Sequence, residues 1–339
     1  GLNIQQLLDE NTFTITTGHQ LNLFTGPLYF LYKIFSAINL CEQLKKEFSE
    51  YNFVPIYWMA TEDHDFEEIN FFNFKKKKIS WDRRSSGAVG RLSTDGLDEV
   101  YDKFKNELDN SKNAHFLADL FKEAYRNHDN LTDATRFLAN ELFSEYGLVI
   151  IDGDNKKLKE QFIPFMENEL VDQNCFHKVS ETNAELEKNY KIQVNPREVN
   201  LFYLTDDGRE RIIVKNEIYT TVDNHFSWSK VEILDHLNKK PERFSPNVIV
   251  RPLYEEVILP NLCYIGGGGE LAYWLELKNY FDSENVPFPI LLLRNSALVI
   301  SKLQSKKLRK LNISLKEIFL KQQDLIKKKV KEVSMSLIH

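Results

Sequence analysis

The sequence predicts an α/β fold built on an open, mostly parallel sheet, and two observations carry that expectation. Six apolar runs each stop at a small polar or glycine cluster. Residues 13–17 end in Gly18-His19-Gln20, 53–60 in Thr61-Glu62-Asp63-His64-Asp65 and 148–151 in Asp152-Gly153-Asp154; 247–250 end in Arg251-Pro252, 262–265 in Gly266-Gly267-Gly268-Gly269-Glu270, and 289–293 in Arg294-Asn295. Stretches with helical periodicity separate several of these runs, the alternation that covers a parallel sheet. In such a sheet the ligand crevice lies beyond the carboxyl ends of the strands, so clusters far apart in sequence are expected to converge on one pocket.

In chain order, Gly26-Pro27 predicts a helix start with proline where its missing N–H costs nothing. Leu31, Ile34, Phe35, Ile38 and Cys41 form a stripe for packing on the sheet, with Tyr29, Lys33 and Ser36 on the other face. Residues 12–60 therefore read as a right-handed βαβ unit. Residues from about 66 to 132 break the rhythm, with the Ser85-Ser86-Gly87 turn and no clean period before 100–126, and read as an insertion. Helical patterns at 133–146 and 155–190 flank the 148–151 strand. A second insertion is expected at about 195–235, where 201–204 and 211–214 bracket Thr205-Asp206-Asp207-Gly208-Arg209, a short-loop hairpin signal. Residues 247–295 resume the alternation, which gives a core over 1–300.

After Ser301 the composition shifts to Lys, Gln, Leu and Ile. Ser314-Leu315-Lys316-Glu317 is a capping box, and Leu315, Phe319, Gln322, Ile326, Lys329, Val333 and Leu337 approximate a heptad seam. Residues 301–339 thus read either as the start of a coiled-coil arm or as an amphipathic helix packed on the core. The chain begins at Gly1 and ends inside this pattern, so the arm is expected to be truncated.

With 339 residues, 42% of them hydrophobic, the chain can bury a large core. A net charge of -6 creates no field that would draw nucleic acid or an anionic membrane. Cys41, Cys175 and Cys263 are widely spaced in apolar settings, which fits a reducing, cytoplasmic setting and neither a disulfide framework nor a thiolate zinc cage. No apolar stretch reaches the roughly 20 residues of a membrane span.

The clusters carry distinct chemistry. Gly18, His19 and Gln20, with Thr25 and Gly26, lie between a strand and a helix start, where free N–H groups favour an anion; His19 could add a hydrogen bond to a phosphoryl group or oxyanion. Glu62, Asp63, His64 and Asp65 offer a general base, a ligand for Mg²⁺ held with phosphate, or a partner for a substrate ammonium. On an extended backbone Glu62 and His64 would face one side, with Asp63 and Asp65 on the other. Gly266, Gly267 and Gly268 could form an anion-binding nest, without the Lys-Ser/Thr of a P-loop, and Glu270 follows in the first helical turn. Arg251 and Arg294 offer bidentate contacts to a carboxylate or phosphate. Lys33, on the Tyr29 face, could reach back to a phosphate, and Tyr273 borders the same loop.

Taken together, Thr17-Gly18-His19-Gln20-Leu21-Asn22-Leu23-Phe24-Thr25-Gly26-Pro27, Ala60-Thr61-Glu62-Asp63-His64-Asp65-Phe66, Ser245-Pro246-Asn247-Val248 with Arg251-Pro252-Leu253, and Tyr264-Ile265-Gly266-Gly267 with Glu270-Leu271-Ala272-Tyr273-Trp274 closely resemble the cysteine ligase family of bacillithiol biosynthesis. The resemblance spans residues 12–295; His19 departs from the family's more usual Gly-Gln-Gln run. It implies a Rossmann-like core with helices on both faces, two inserted segments and a coiled-coil arm used for homodimerisation. It further implies addition of L-cysteine to the amino group of glucosaminyl malate; forming an amide from a carboxylate needs activation, for which ATP or another nucleotide is the expected source, with Mg²⁺ a candidate companion. On that reading Asp63, His64 and His19 are catalytic, the glycine loops with Gln20 and Thr25 bind the nucleotide, and Tyr29, Lys33, Arg251, Glu270, Tyr273 and Arg294 contact substrate. A nucleotidyltransferase acting on another small anion, or a nucleotide-binding scaffold protein, would use the same fold.

Overall fold

A computed structural model describes residues 1–336 as two compact units, 1–295 and 296–336. In the first, a short helix α1 (Leu2–Gln6) leads into β1 (Thr12–His19), α2 (Tyr29–Glu47) and β2 (Asn52–Met59). The chain then makes α3 (Phe66–Ile69), a hairpin of β3 (Phe71–Phe74) and β4 (Lys77–Ser80), and helices α4 (Leu97–Lys105), α5 (Lys112–Arg126) and α6 (Leu131–Phe143). After β5 (Val149–Asp152) come α7 (Lys156–Asp172) and α8 (Asn174–Leu186), then strands β6 (Leu201–Leu204), β7 (Arg209–Lys215), β8 (Ile218–Thr221) and β9 (Ser227–Ser229). Helix α9 (Lys230–Lys239), β10 (Phe244–Pro246), α10 (Arg251–Ile258), β11 (Asn261–Gly266), α11 (Gly268–Leu275), α12 (Lys278–Ser283) and β12 (Ile290–Leu293) complete the unit.

The main sheet has the order β12-β11-β1-β2-β5, parallel throughout. Its central strand β2 shows why the pattern is apolar along its length: side chains alternate between the faces, and both faces are covered. Tyr57 and Met59 join the core made with α2 and α6, whereas Val54, Ile56 and Trp58 join Phe162, Met166 and Tyr254 of α7 and α10. The α/β architecture with helices on both faces is therefore present. A second, antiparallel sheet, β10-β6-β7-β8-β9, shares the core cluster on the α7 side.

Three local expectations are corrected. Residues 247–250 do not form a strand. The Asn247 carboxamide oxygen accepts from Ile249 N (2.8 Å) and Val250 N (3.1 Å), folding the backbone into a turn that Arg251-Pro252 continue as the first turn of α10. Side-chain capping thus outweighs the strand preference of Val248, Ile249 and Val250. In α2 the buried stripe runs through Phe30, Lys33, Ile34, Ala37, Ile38 and Cys41, so Lys33 faces inward rather than toward solvent.

In the second unit the expected continuous helix is two helices, α13 (Lys302–Lys310) and α14 (Gln322–Ser336), separated by a 3₁₀ turn at Glu317–Phe319. Asn312 (φ 50°) follows α13 in the left-handed region. The Ser314–Glu317 capping box forms, with Ser314 N 2.6 Å from Glu317 Oε2, but it opens only that turn. Leu315 and Phe319 therefore precede the helix that carries Ile326 and Lys329; Leu337 lies outside the described residues. Among the described residues no helix is long and apolar enough to cross a membrane.

Candidate active site at the carboxyl ends of the sheet

Chain order reverses between β11 and β1, and there the strand ends open a crevice. A cavity of about 340 Å³ is lined by Gly18, His19, Gln20, Tyr29, Lys33, Asp63, Arg251, Glu270 and Tyr273, together with Trp58, Ala60, Val248, Glu255 and Tyr264. Nine of the residues singled out in the sequence thus share one hollow. Thr25, Gly26, Gly266, Gly267, Gly268, His64 and Arg294 do not line it.

Thr25 and Gly26 serve the turn before α2. Gly26 has φ 55°, and a Cβ there would lie 2.5 Å from the Asn22 Cβ, so the position requires glycine for its backbone. The guanidinium of Arg294 lies over the Tyr29 ring, 5.1 Å from its centroid, at the margin of the cavity.

Lys33 and Glu270 form the crevice floor. The Lys33 ammonium donates to Glu270 Oε1 (2.7 Å), to Glu270 Oε2 (2.9 Å) and to the Gly18 carbonyl, which commits its three donors. Lys33 is 3% exposed. It ties β1 to the start of α11 and has no donor left for a phosphate, which corrects its expected role. Glu270 also accepts from Tyr264 Oη (3.0 Å) and Gly267 N (2.7 Å). Burial pushes the Glu270 carboxyl up, but Lys33 and these donors more than offset it, and its pKa falls below the usual value. A carboxylate therefore already accepts from the Gly267 N–H at the positive end of α11.

His19 lines the cavity as a neutral imidazole. Burial first, then the Lys33 charge, lowers its pKa to about 3. Its Nδ1 lies 2.9 Å from the Gln20 carbonyl, which accepts a proton and not a lone pair, so Nδ1 carries the hydrogen. The buried Nε2 has no hydrogen-bond partner and presents a lone pair. His19 can accept a hydrogen bond but cannot donate one to a phosphoryl oxygen or oxyanion; the expected role is corrected accordingly.

The backbone after β2 is not extended, so Glu62 and His64 do not share a side. Glu62 is buried against Lys159 (2.6 Å), whose ammonium also meets Asp154 (2.8 Å), which in turn pairs with Arg91 (2.6 Å). This buried network fixes the loops after β2 and β5. Asp65 caps α3 through Glu68 N. Asp63 turns into the cavity, where Gln20 Nε2 (3.2 Å) and the backbone N of His64 (2.8 Å) donate to it. Burial raises its pKa, but the His64 ring 3.6 Å away, Arg251, Arg209 and Gln20 together bring it far below the ordinary carboxylate range. It is a fixed anion and a poor base.

Two contributors escaped the sequence reading. Glu255, 4% exposed, is one helical turn beyond Arg251 on α10. Its Oε2 has no partner, and burial, only partly offset by Arg251 and Lys33, raises its pKa to about 8. The spacing from Arg251 signals this residue only once 251–258 is known to be a helix. Arg209, from the second sheet, donates to Ser245 Oγ and Pro246 O (3.0 Å) and points Nη1 at His64 Nδ1 (3.1 Å).

A second cavity, of about 370 Å³, lies beside the first and shares Asp63, Val248 and Arg251 with it. His64 belongs to this second hollow. Arg251 stands at the common wall, kept charged by Asp63 and Glu62 against the effect of burial. Among the described residues no group of three or more His, Cys, Asp or Glu side chains is placed to hold a metal.

Residues 1–295 match the family described as "Bacillithiol biosynthesis BshC, N-terminal Rossmann-like domain". The chain belongs to the BshC family. Relatives named "Putative cysteine ligase BshC" include those of Flavobacterium psychrophilum, 62% identical over 98% of this chain and 62% of the relative, and Christiangramia forsetii, 59% identical over 98% and 63%. A BshC relative from Bacillus thuringiensis is 30% identical over 96% of this chain and 62% of its own length. The chain spans about three-fifths of the length of these curated BshC relatives. The parallel sheet and the crevice are thus those of a BshC Rossmann-like domain.

Proposed function

We propose that this chain forms the substrate-binding core of a ligase that joins the carboxyl group of L-cysteine to the amino group of glucosaminyl malate. The observation that carries the reading is the pair of cavities meeting at Asp63 and Arg251, since a condensation needs two molecules held with their reacting ends together. Cysteine occupies the first cavity, its ammonium beside the Asp63 anion and its carboxylate on Arg251. The amino sugar enters from the second cavity.

Joining the two forms a C–N bond and breaks a C–O bond of the cysteine carboxyl; a nucleotide, when bound, would supply the phosphoryl or adenylyl group on which that oxygen leaves. The chain's own groups manage charge and protons. Arg251 steadies the carboxyl oxygen that remains, and Glu255, with its raised pKa, takes the proton that the incoming amine loses. Glu255 replaces Asp63 and His64 as the proton acceptor, because Asp63 is held ionised and His64 is turned toward Arg209. His19 Nε2 accepts from a donor on the substrate, such as an ammonium or thiol hydrogen.

The test is a thiol profile of a strain lacking the gene. Accumulated glucosaminyl malate with absent bacillithiol is expected; unchanged bacillithiol, in a strain without a second copy, would refute the reading.

A further inference from the structure

Residues 187–200 connect α8 to β6 without a helix or strand of their own, so other groups must satisfy and hold their backbone. Val194, Asn195, Arg197 and Val199 of this segment form part of the wall of the second cavity, which Arg209, Arg211 and Arg251 also border. Glu276 holds the middle of the segment: Oε1 accepts from Gln193 N (2.7 Å) and Oε2 from Val194 N (3.2 Å). From α8, Asn183 Nδ2 donates to the Val194 carbonyl (2.9 Å). Arg197 is tied to Asn200, whose carboxamide accepts from Arg197 N (3.0 Å) and donates to its carbonyl (2.7 Å). Glu276 is 2% exposed. A carboxylate withdrawn from water is tolerated where fixed donors replace its hydration, and here those donors are the backbone of the cavity wall. Glu276 caps the carboxyl end of α11, and the Lys33–Glu270 pair pins the start of that helix, so the carboxylate stands on a firm support.

We propose that Glu276 is a positioning residue: it sets residues 193–197 as the wall against which the second substrate packs. The inference rests on the two-substrate reading above. Glu276 lines neither cavity, so it acts only through the segment it holds. Releasing the Gln193 and Val194 N–H groups frees that wall while Glu270 and Tyr273, on the same helix, stay in the first cavity. The effect therefore falls on binding at the second hollow and spares the first.

The experiment compares the full wild-type chain with Glu276→Ala, which removes both acceptors, Glu276→Gln, which keeps one, and Asn183→Ala, which frees the Val194 carbonyl. Steady-state thiol formation with each substrate varied is read beside limited trypsin digestion, since Lys188, Lys191 and Arg197 offer cleavage points in the segment. In Glu276→Ala the KM for glucosaminyl malate is expected to rise about five-fold or more while kcat and the KM for L-cysteine stay within about two-fold, and cleavage at 188–197 to quicken. Glu276→Gln is expected to fall between the two. Asn183→Ala moves the same quantities in the same direction and keeps the test decisive if Glu276→Ala does not fold. Equal rises in both KM values, faster cleavage with the glucosaminyl malate KM unchanged, or no change in either, in folded variants, would overturn the inference. Its failure is separable from that of the ligase reading. Protection of the segment from trypsin by glucosaminyl malate, present in wild type and lost in Glu276→Ala, with no ligation rejects the ligase alone; ligation with KM and cleavage indifferent to the substitutions rejects the positioning role alone.

Discussion

At the scale of single residues, neighbouring carboxyl groups are driven apart by their surroundings. Asp63 accepts hydrogen bonds and faces guanidinium groups, so it stays ionised; Glu255 is desolvated with one oxygen unmatched, so it holds its proton until about pH 8. The folded chain therefore keeps a proton on Glu255 that the unfolded chain releases near 4.5, and this group's contribution to stability falls as pH rises from about 4.5 through 8. Asp63 acts in the opposite sense, its contribution being lost as pH drops below about 3.8. Melting curves between pH 6 and 9 are expected to show a smaller decline for Glu255→Gln than for wild type. In a thiol-forming assay the wild-type rate is expected to rise toward pH 8, and Glu255→Gln to lose both that limb and at least ten-fold in rate. An unchanged profile in the variant would show that Glu255 does not carry the proton. Asp63 was legible in the sequence because a carboxylate ending an apolar strand demands a partner. Glu255 was not, because its significance depends on a helix that Val248-Ile249-Val250 disguise as a strand.

Elements are fixed to one another by buried charge and close contact. Lys159 of α7 is fully buried between Glu62 and Asp154, at the ends of β2 and β5. Removing the ammonium leaves two buried anions with less compensation, and Lys159→Met is expected to cost on the order of 3–5 kcal/mol in denaturant unfolding. A loss below about 1 kcal/mol would show that the clasp is dispensable. Gly90, in the 3₁₀ turn Val89–Arg91, packs on the loop after β2: a Cβ there would fall 2.4 Å from Thr132 Oγ1 and 2.9 Å from the Thr61 carbonyl. Gly90→Ala is therefore expected to destabilise by about 1–3 kcal/mol, read by the shift in unfolding midpoint. Strands buried on both faces were plain in the sequence as unbroken apolar runs, and the 201–215 hairpin was announced by Asp206-Asp207-Gly208. The helix face of Lys33 was misread because a buried lysine makes sense only when its partner Glu270, 237 residues away, is placed beside it.

Across the whole molecule, the parallel sheet brings the ends of β1, β2 and β11 together, and the second sheet adds Arg209 and Arg211 to one side of the crevice. The convergence of His19, Asp63 and Arg251 follows from topology and could be anticipated; the arginine-lined cavity could not, because strand pairing in the second sheet, rather than local sequence, sets where Arg209 and Arg211 stand. The glycine loop was the most conspicuous motif in the chain, yet its Gly267 N–H is taken by its own Glu270. The account depends on Arg251 serving both hollows. Equilibrium binding of L-cysteine and of malate to wild type and to a folded Arg251→Gln variant measures this directly. Both affinities are expected to fall at least ten-fold; loss of only one, or of neither, would contradict a single site built around that guanidinium.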